Sequence, residues 1–166
     1  MDIQYNLLDS ETFGYIQSVF QSDEFPWFLN TSVAYPNSNI SVHDCQFTHT
    51  LVRDYKVCSK WVQYIEPVLY KAGIRKEDLA RAKVNCTLAT DEPFHSGLHT
   101  DFGSGSFTTY VFYINTNNGG TAFDDGTFVK SEENKLVSFD GMTMHTAVTS
   151  TDTKYRIVLN LNVRKL

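Results

Sequence analysis

From Lys83 onward the chain is built of six short β-type runs, 83–89, 107–114, 121–123, 135–139, 144–148 and 155–163, cut apart by turn-forming clusters. The clusters are Asp91-Glu92-Pro93, Gly103-Ser104-Gly105, Asn117-Asn118-Gly119-Gly120, Asp124-Asp125-Gly126 and Asp140-Gly141. Gly, Asn and Asp at such points supply the tight reversals that join antiparallel strands. Several short strands in succession predict a sandwich or jelly roll. The aromatic content, 12 Phe, 9 Tyr and 2 Trp, agrees, because large flat side chains suit half-buried pleated surfaces.

The first part of the chain reads differently. Phe13, Ile16 and Phe20 recur at helical spacing behind Ser10, which can cap a helix. Residues 27–29 read as a short extended segment and 36–41 as a polar loop. A second helix is expected from Ser59 to Gly73, carrying Trp61, Ile65, Leu69 and Ala72 inward and broken or kinked at Pro67. Residues 75–81 allow one further helical turn. No linker divides the 166 residues, so a single domain is expected, with a helical or mixed part at 1–82 and a β core at 83–166.

The net charge of −5 argues against nucleic-acid binding, which needs a basic footprint. No apolar stretch approaches the roughly 20 residues of a membrane span. The amino-terminal residues show no signal-peptide pattern. Cys45, Cys58 and Cys86 are odd in number and irregular in spacing, as expected of reduced thiols in a cytoplasmic protein. The glycosylation-type triplets at Asn30, Asn39 and Asn85 then carry no meaning.

The chemistry concentrates in the β-rich half. In Leu98-His99-Thr100-Asp101-Phe102 an extended backbone would send His99 and Asp101 to one face, because side chains alternate with period two. His145 follows a later turn, Phe139-Asp140-Gly141. Two imidazoles and one carboxylate leave open positions on an octahedral ion, the ligand set of non-haem Fe(II) oxygenases. Alone, His-x-Asp is a weak signal. The run Lys154 to Leu161 strengthens it, since Lys154, Arg156, Val158 and Asn160 share one face. A cation there would pair with the distal carboxylate of an oxoacid, and the planar fork of Arg suits a carboxylate best.

The order His99-x-Asp101, then Gly119-Gly120-Thr121-x-Phe123, then Phe139-Asp140-Gly141…His145, then Arg156-Ile157-Val158-Leu159-Asn160 resembles the Fe(II)/2-oxoglutarate oxygenase superfamily. It looks most similar to the small prolyl-4-hydroxylase-like members of bacteria and phages. The resemblance covers 82–163, and extends more loosely through Phe25-Pro26-Trp27-Phe28 and Phe47-Thr48-His49. It implies a mainly β fold with flanking helices (α+β): a double-stranded β-helix, or jelly roll, with helices packed on the larger sheet. It implies His99, Asp101 and His145 as iron ligands and Arg156 as the residue holding the C5 carboxylate of 2-oxoglutarate. Lys154 is an alternative that parity cannot separate from Arg156. Tyr110 is the implied pocket tyrosine, near Phe112, and Asn85 and Thr87 would face the same cavity.

The activity so implied is a dioxygenase that uses Fe(II), 2-oxoglutarate and O2, with ascorbate as an optional addition. It would hydroxylate a peptide residue or a small molecule and release succinate and CO2. Related halogenases replace the carboxylate ligand with a small residue, so Asp101 favours hydroxylation. Two other readings stand beside this one: a non-catalytic jelly-roll binding protein with a vestigial site, and a cupin-like metalloenzyme that does not use 2-oxoglutarate. His95 reads as a loop residue at the pocket mouth, and His43 and His49 as surface or structural residues. Asp124-Asp125-Gly126 reads as a tight turn, since later calcium ligands are missing. The loops at 35–39 and 91–97 would select the substrate, and neither carries a readable code.

Overall fold

The computed structural model describes residues 1–31, 43–102 and 106–165. The expected loop at 36–41, the mouth loop at 35–39 and the turn at 103–105 lie outside the described residues. Eleven strands and two α-helices follow one another as β1 (Asp2–Gln4), α1 (Ser10–Phe20), β2 (Phe28–Asn30), β3 (Gln46–Arg53), β4 (Lys56–Val57), α2 (Glu66–Lys71), β5 (Leu79–Leu88), β6 (Phe107–Tyr113), β7 (Gly120–Phe123), β8 (Phe128–Lys130), β9 (Lys135–Asp140), β10 (His145–Val148) and β11 (Tyr155–Arg164).

The strands form two antiparallel sheets. The larger runs β1-β9-β6-β11-β5-β3-β2, with β4 paired to β3; the smaller runs β10-β7-β8. Isolated bridges from His95 to Val148 and from His99 to His145 add the segment before β6 to the edge of the small sheet. The jelly roll with helices on its larger sheet is therefore the observed fold.

Strand alternation divides the core in two. On the outer face of the large sheet, Phe112, Leu136, Leu159, Leu161 and Val84 pack with Phe13, Ile16 and Phe20 of α1 and Val68 and Leu69 of α2. Between the sheets lie Val111, Tyr113, Phe123, Val129, Val137, Phe139 and Val158. A fully buried Phe or Leu contributes about 1.5–3 kcal/mol. An exposed ion pair such as Lys76 with Glu66 gives less than about 1 kcal/mol, so apolar faces and not surface charges hold the helices on the sheet.

Helix α1 begins one residue earlier than Ser10 suggests: Asp9 is the cap, its carboxylate accepting the Thr12 backbone N–H at 2.9 Å. The second helical segment is split. Ser59 caps a 3-10 helix over Lys60–Ile65, and α2 restarts with Pro67 in its first turn, where a missing N–H costs nothing. Gly73, at φ +67°, ends it in the left-handed conformation. The expected turn near 75–81 is a 3-10 turn over Lys76–Asp78. Unexpected from sequence are β3, which enters the large sheet beside β5, and the short strands β1, β4 and β8.

Candidate metal centre and pocket

His145 is the first residue of β10 and makes a reciprocal backbone pair with His99: N–H to carbonyl at 3.0 Å one way and 2.9 Å the other. That pairing sets the two rings 4.7 Å apart. Asp101 follows two residues on, its side chain 3% exposed. The nearest ligand atoms of His99, Asp101 and His145 all lie within 4.8 Å of one another. His145 Nε2 and Asp101 Oδ2 are 3.8 Å apart.

Both imidazoles are fixed in the tautomer a metal needs. His145 Nδ1 lies 2.9 Å from the Thr143 carbonyl and His99 Nδ1 lies 3.2 Å from the Gly97 carbonyl. A carbonyl only accepts, so each Nδ1 carries the proton and each Nε2 keeps a free lone pair. Burial lowers the His145 pKa, against the opposing pull of Asp101, and so keeps the ring neutral.

Asp101 is held from behind by Arg81, at 2.5 Å to Oδ1, and by Thr109 and Asn162, at 2.8 and 3.0 Å to Oδ2. Burial would raise its pKa. The Arg81 charge, His145 and the two hydrogen bonds outweigh that, so the carboxyl sits below its usual range. These donors come from three adjacent strands of the large sheet, because Arg81, Asn162 and Thr109 occupy one rung of the ladder.

From this cluster a cavity of about 220 Å³ runs between the sheets to Arg156. Arg156 is 3% exposed. Its Nε donates to Ser131 Oγ at 2.9 Å, one terminal nitrogen donates to Thr121 Oγ1 at 3.2 Å, and the guanidinium lies over the Tyr113 ring. Tyr113 and Thr121 share a further hydrogen bond of 2.8 Å. Burial lowers the Arg156 pKa, yet a guanidinium stays charged in proteins. Among the described residues no carboxylate lies within ion-pair distance of it. A buried cation without a counter-ion is costly. Asn85 Oδ1, Thr87 Oγ1 and Asn160 Oδ1, all on the same cavity wall, are buried without a hydrogen-bond partner. The donor set, the uncompensated cation and these orphaned polar atoms fit a metal ion and an anionic, hydrogen-bonding ligand.

The structure thus brings together His99, Asp101, His145, Arg156, Asn85 and Thr87. It does not bring Tyr110 or Lys154. Tyr110 pairs across β11 with Leu161, and Phe112 with Leu159, and cross-strand partners share a face. Both aromatics therefore point to the helices, so Tyr110 does not face the cavity, and the tyrosine that packs beside Arg156 is Tyr113. Lys154 precedes β11 and is exposed, so of these two cations it is Arg156 that lines the cavity.

Sequence reasoning missed Tyr113, Thr121, Ser131, Thr109, Arg81 and Lys83. The last two were within reach, since parity with Asn85 puts them on the same face of β5. His95 is exposed and lines a separate groove with Leu98 and Phe128. His49 is buried elsewhere, its nitrogens 2.7 Å from the Pro26 carbonyl and 2.8 Å from Ser59 Oγ.

No family model matches this sequence, and no curated protein does. Solved structures match the fold over nearly the whole chain. An oxidoreductase of the 2OG-Fe(II) oxygenase family from Burkholderia pseudomallei superposes with a TM-score of 0.67 at 12% identity, covering 97% of this chain and 83% of that one. A prolyl hydroxylase from Trichoplax adhaerens, solved with a hypoxia inducible factor oxygen degradation domain peptide fragment, gives 0.60 at 15% identity, covering 98% and 82%. A Pseudomonas putida prolyl-4-hydroxylase gives 0.57 at 14% identity, covering 99% and 92%. At such identities the likeness is one of fold, and it is the fold that the motif order in the sequence implied.

Proposed function

We propose that the protein is an Fe(II)- and 2-oxoglutarate-dependent dioxygenase that hydroxylates a peptide residue, as a prolyl hydroxylase does, or a small molecule. The observation that carries this reading is Arg156, a buried guanidinium with no carboxylate partner among the described residues, at the far end of a cavity that begins at His99, Asp101 and His145. When bound, iron and 2-oxoglutarate supply the oxidising chemistry, in which O2 is consumed, 2-oxoglutarate becomes succinate and CO2, and a C–H bond gains a hydroxyl.

The residues of the chain bind and orient. His99 and His145 offer Nε2, and Asp101 offers a carboxylate oxygen. Gly97 and Thr143 hold the rings through their carbonyls, while Arg81, Thr109 and Asn162 hold the carboxylate. Arg156, carried by Ser131 and Thr121, takes the distal carboxylate of the cosubstrate in a planar grip. Asn85, Thr87 and Asn160 provide the remaining polar wall.

Anaerobic titration of 2-oxoglutarate into the Fe(II)-loaded protein tests the reading through the visible charge-transfer band of the chelate. His145→Ala is expected to abolish the band. Arg156→Ala is expected to raise the half-saturating cosubstrate concentration roughly 10- to 100-fold, as befits loss of a charged hydrogen bond. No band in the wild type with iron confirmed bound would overturn the reading.

A further inference from the structure

Arg156 is not the only cation in the cavity. Arg81, Lys83, Asn85 and Thr87 alternate along β5 with Ala82, Val84 and Cys86, and all four line the pocket. Arg81 is occupied by Asp101. Lys83 is half-buried, and among the described residues its ammonium has neither an ion-pair partner nor a hydrogen-bonded one. On the ladder it sits opposite Asn160, two pairs from Arg81–Asn162, which holds the Asp101 carboxylate, and four pairs from Arg156–Thr87. Lys83 therefore stands at the metal end of the cavity, on the strand next to the one that carries the cosubstrate cation.

Arg81 neutralises Asp101, and a dicationic metal neutralises dianionic 2-oxoglutarate. Arg156 and Lys83 then leave surplus positive charge in a low-dielectric cavity of a chain whose net charge is −5. The two carboxylates of the cosubstrate already have the metal and Arg156. Room is also limited: the cavity of about 220 Å³ is smaller than the roughly 300–1,000 Å³ of ordinary ligand sites, which favours a small group beside the cosubstrate.

Building on the oxygenase reading, we infer that Lys83, flanked by Asn85 and Asn160, is a carboxylate-recognition subsite for the primary substrate. The molecule oxidised is then an acid: a free amino acid, or a peptide that presents its terminal or side-chain carboxylate beside the metal. One compact ammonium matches one monoanion. The unpartnered Asn85 and Asn160 amide oxygens accept hydrogen bonds from N–H or O–H groups on the same molecule.

The test uses the full chain loaded with Fe(II) and 2-oxoglutarate. The probes are the free L-amino acids, their carboxamides, and short peptides with free or amidated carboxyl termini, with and without Asp or Glu. Succinate release is measured in air, and binding is measured by calorimetry on the Zn(II)-loaded protein without O2. Acids are expected to bind and to stimulate succinate release while the matching amides do neither, and the free amino acids and the peptides tell the two carboxylate sources apart. Lys83→Met is expected to weaken acid binding at least tenfold and erase the preference for acid over amide, with Lys83→Arg restoring much of it.

Equal binding of acids and amides would overturn the proposal. So would a Lys83→Met protein that keeps the acid preference and needs more 2-oxoglutarate, which would assign the lysine to the cosubstrate. Failure of every probe to bind, with the wild-type charge-transfer band present, overturns the inference alone. Absence of that band overturns the oxygenase reading beneath it.

Discussion

Three residues, an odd step along the strand, put the two tyrosines of β6 on opposite faces. Tyr110 faces Leu161 and the helices; Tyr113 faces Val158 and the core between the sheets, where its hydroxyl bonds Thr121 and its ring lies under Arg156. Removing one hydroxyl from such a network costs about 0.5–1.5 kcal/mol. Tyr113→Phe is therefore expected to raise the half-saturating 2-oxoglutarate concentration by about 2- to 10-fold, while Tyr110→Phe leaves it within about twofold; cosubstrate titration of both variants checks this. A second residue, Asp78, acts on stability. Its carboxylate accepts from Arg75 at 2.7 Å and from Arg164 of β11 at 3.1 Å, and the Arg75 hydrogen bond, then Arg164, hold its pKa below the ordinary 3.8. A carboxyl depressed in the folded state stabilises fully above its unfolded value, and that contribution disappears as pH falls through the lower folded value. Asp78→Asn should thus flatten the acid limb of stability below about pH 3.8, and urea melts of both proteins at pH 7 and pH 3 test it.

At the scale of elements, the small sheet depends on how closely β7 approaches its neighbours. A methyl group at Gly120 would strike the Val129 carbonyl and the Phe128 ring, and one at Gly119 would lie 2.7 Å from the Val148 carbonyl. Gly120→Ala must push β8 away from β7, and since β7 pairs also with β10 the displacement reaches the strand of His145. Overpacking of this kind costs about 1–3 kcal/mol, to be read from urea unfolding, with a weaker metal site expected alongside. Elements also differ in how legible they were. The long strands β6 and β11 are rich in β-branched and aromatic residues between turn clusters and were visible in the sequence, although their apolar runs hid which face is which. Strand β3 was not, because its pairing with β5 shifts register between Thr50 and Val52, and a bulge breaks the period-two pattern. Strands β1, β4 and β8 are three residues or fewer, too short for any period to register.

For the whole molecule, the cavity joins both sheets, so ligands that fill it tie the two layers together. Among the described residues no helix is long and apolar enough to cross a membrane. A metal and a cosubstrate that bind only the folded chain stabilise it by about 2.7 kcal/mol at one hundred times the dissociation constant. For a chain of this size that is about 5–10 °C in Tm. Mn(II) with 2-oxoglutarate is expected to give a shift in this range, EDTA to reverse it, and His99→Ala to prevent it, all by thermal melts. By itself the sequence determined the β-rich architecture and the apolar face of α1, because those rest on turn chemistry and on periods within a single element; His99, Asp101, His145 and Arg156 were singled out by the order of motifs along the chain, and the fold brings the four to one cavity. Tertiary structure alone decided which face of β6 looks between the sheets, that Arg81, Thr109 and Asn162 converge on Asp101, and that Arg156 has no counter-ion among the described residues. Those facts depend on register between strands far apart in the chain, which no local pattern encodes.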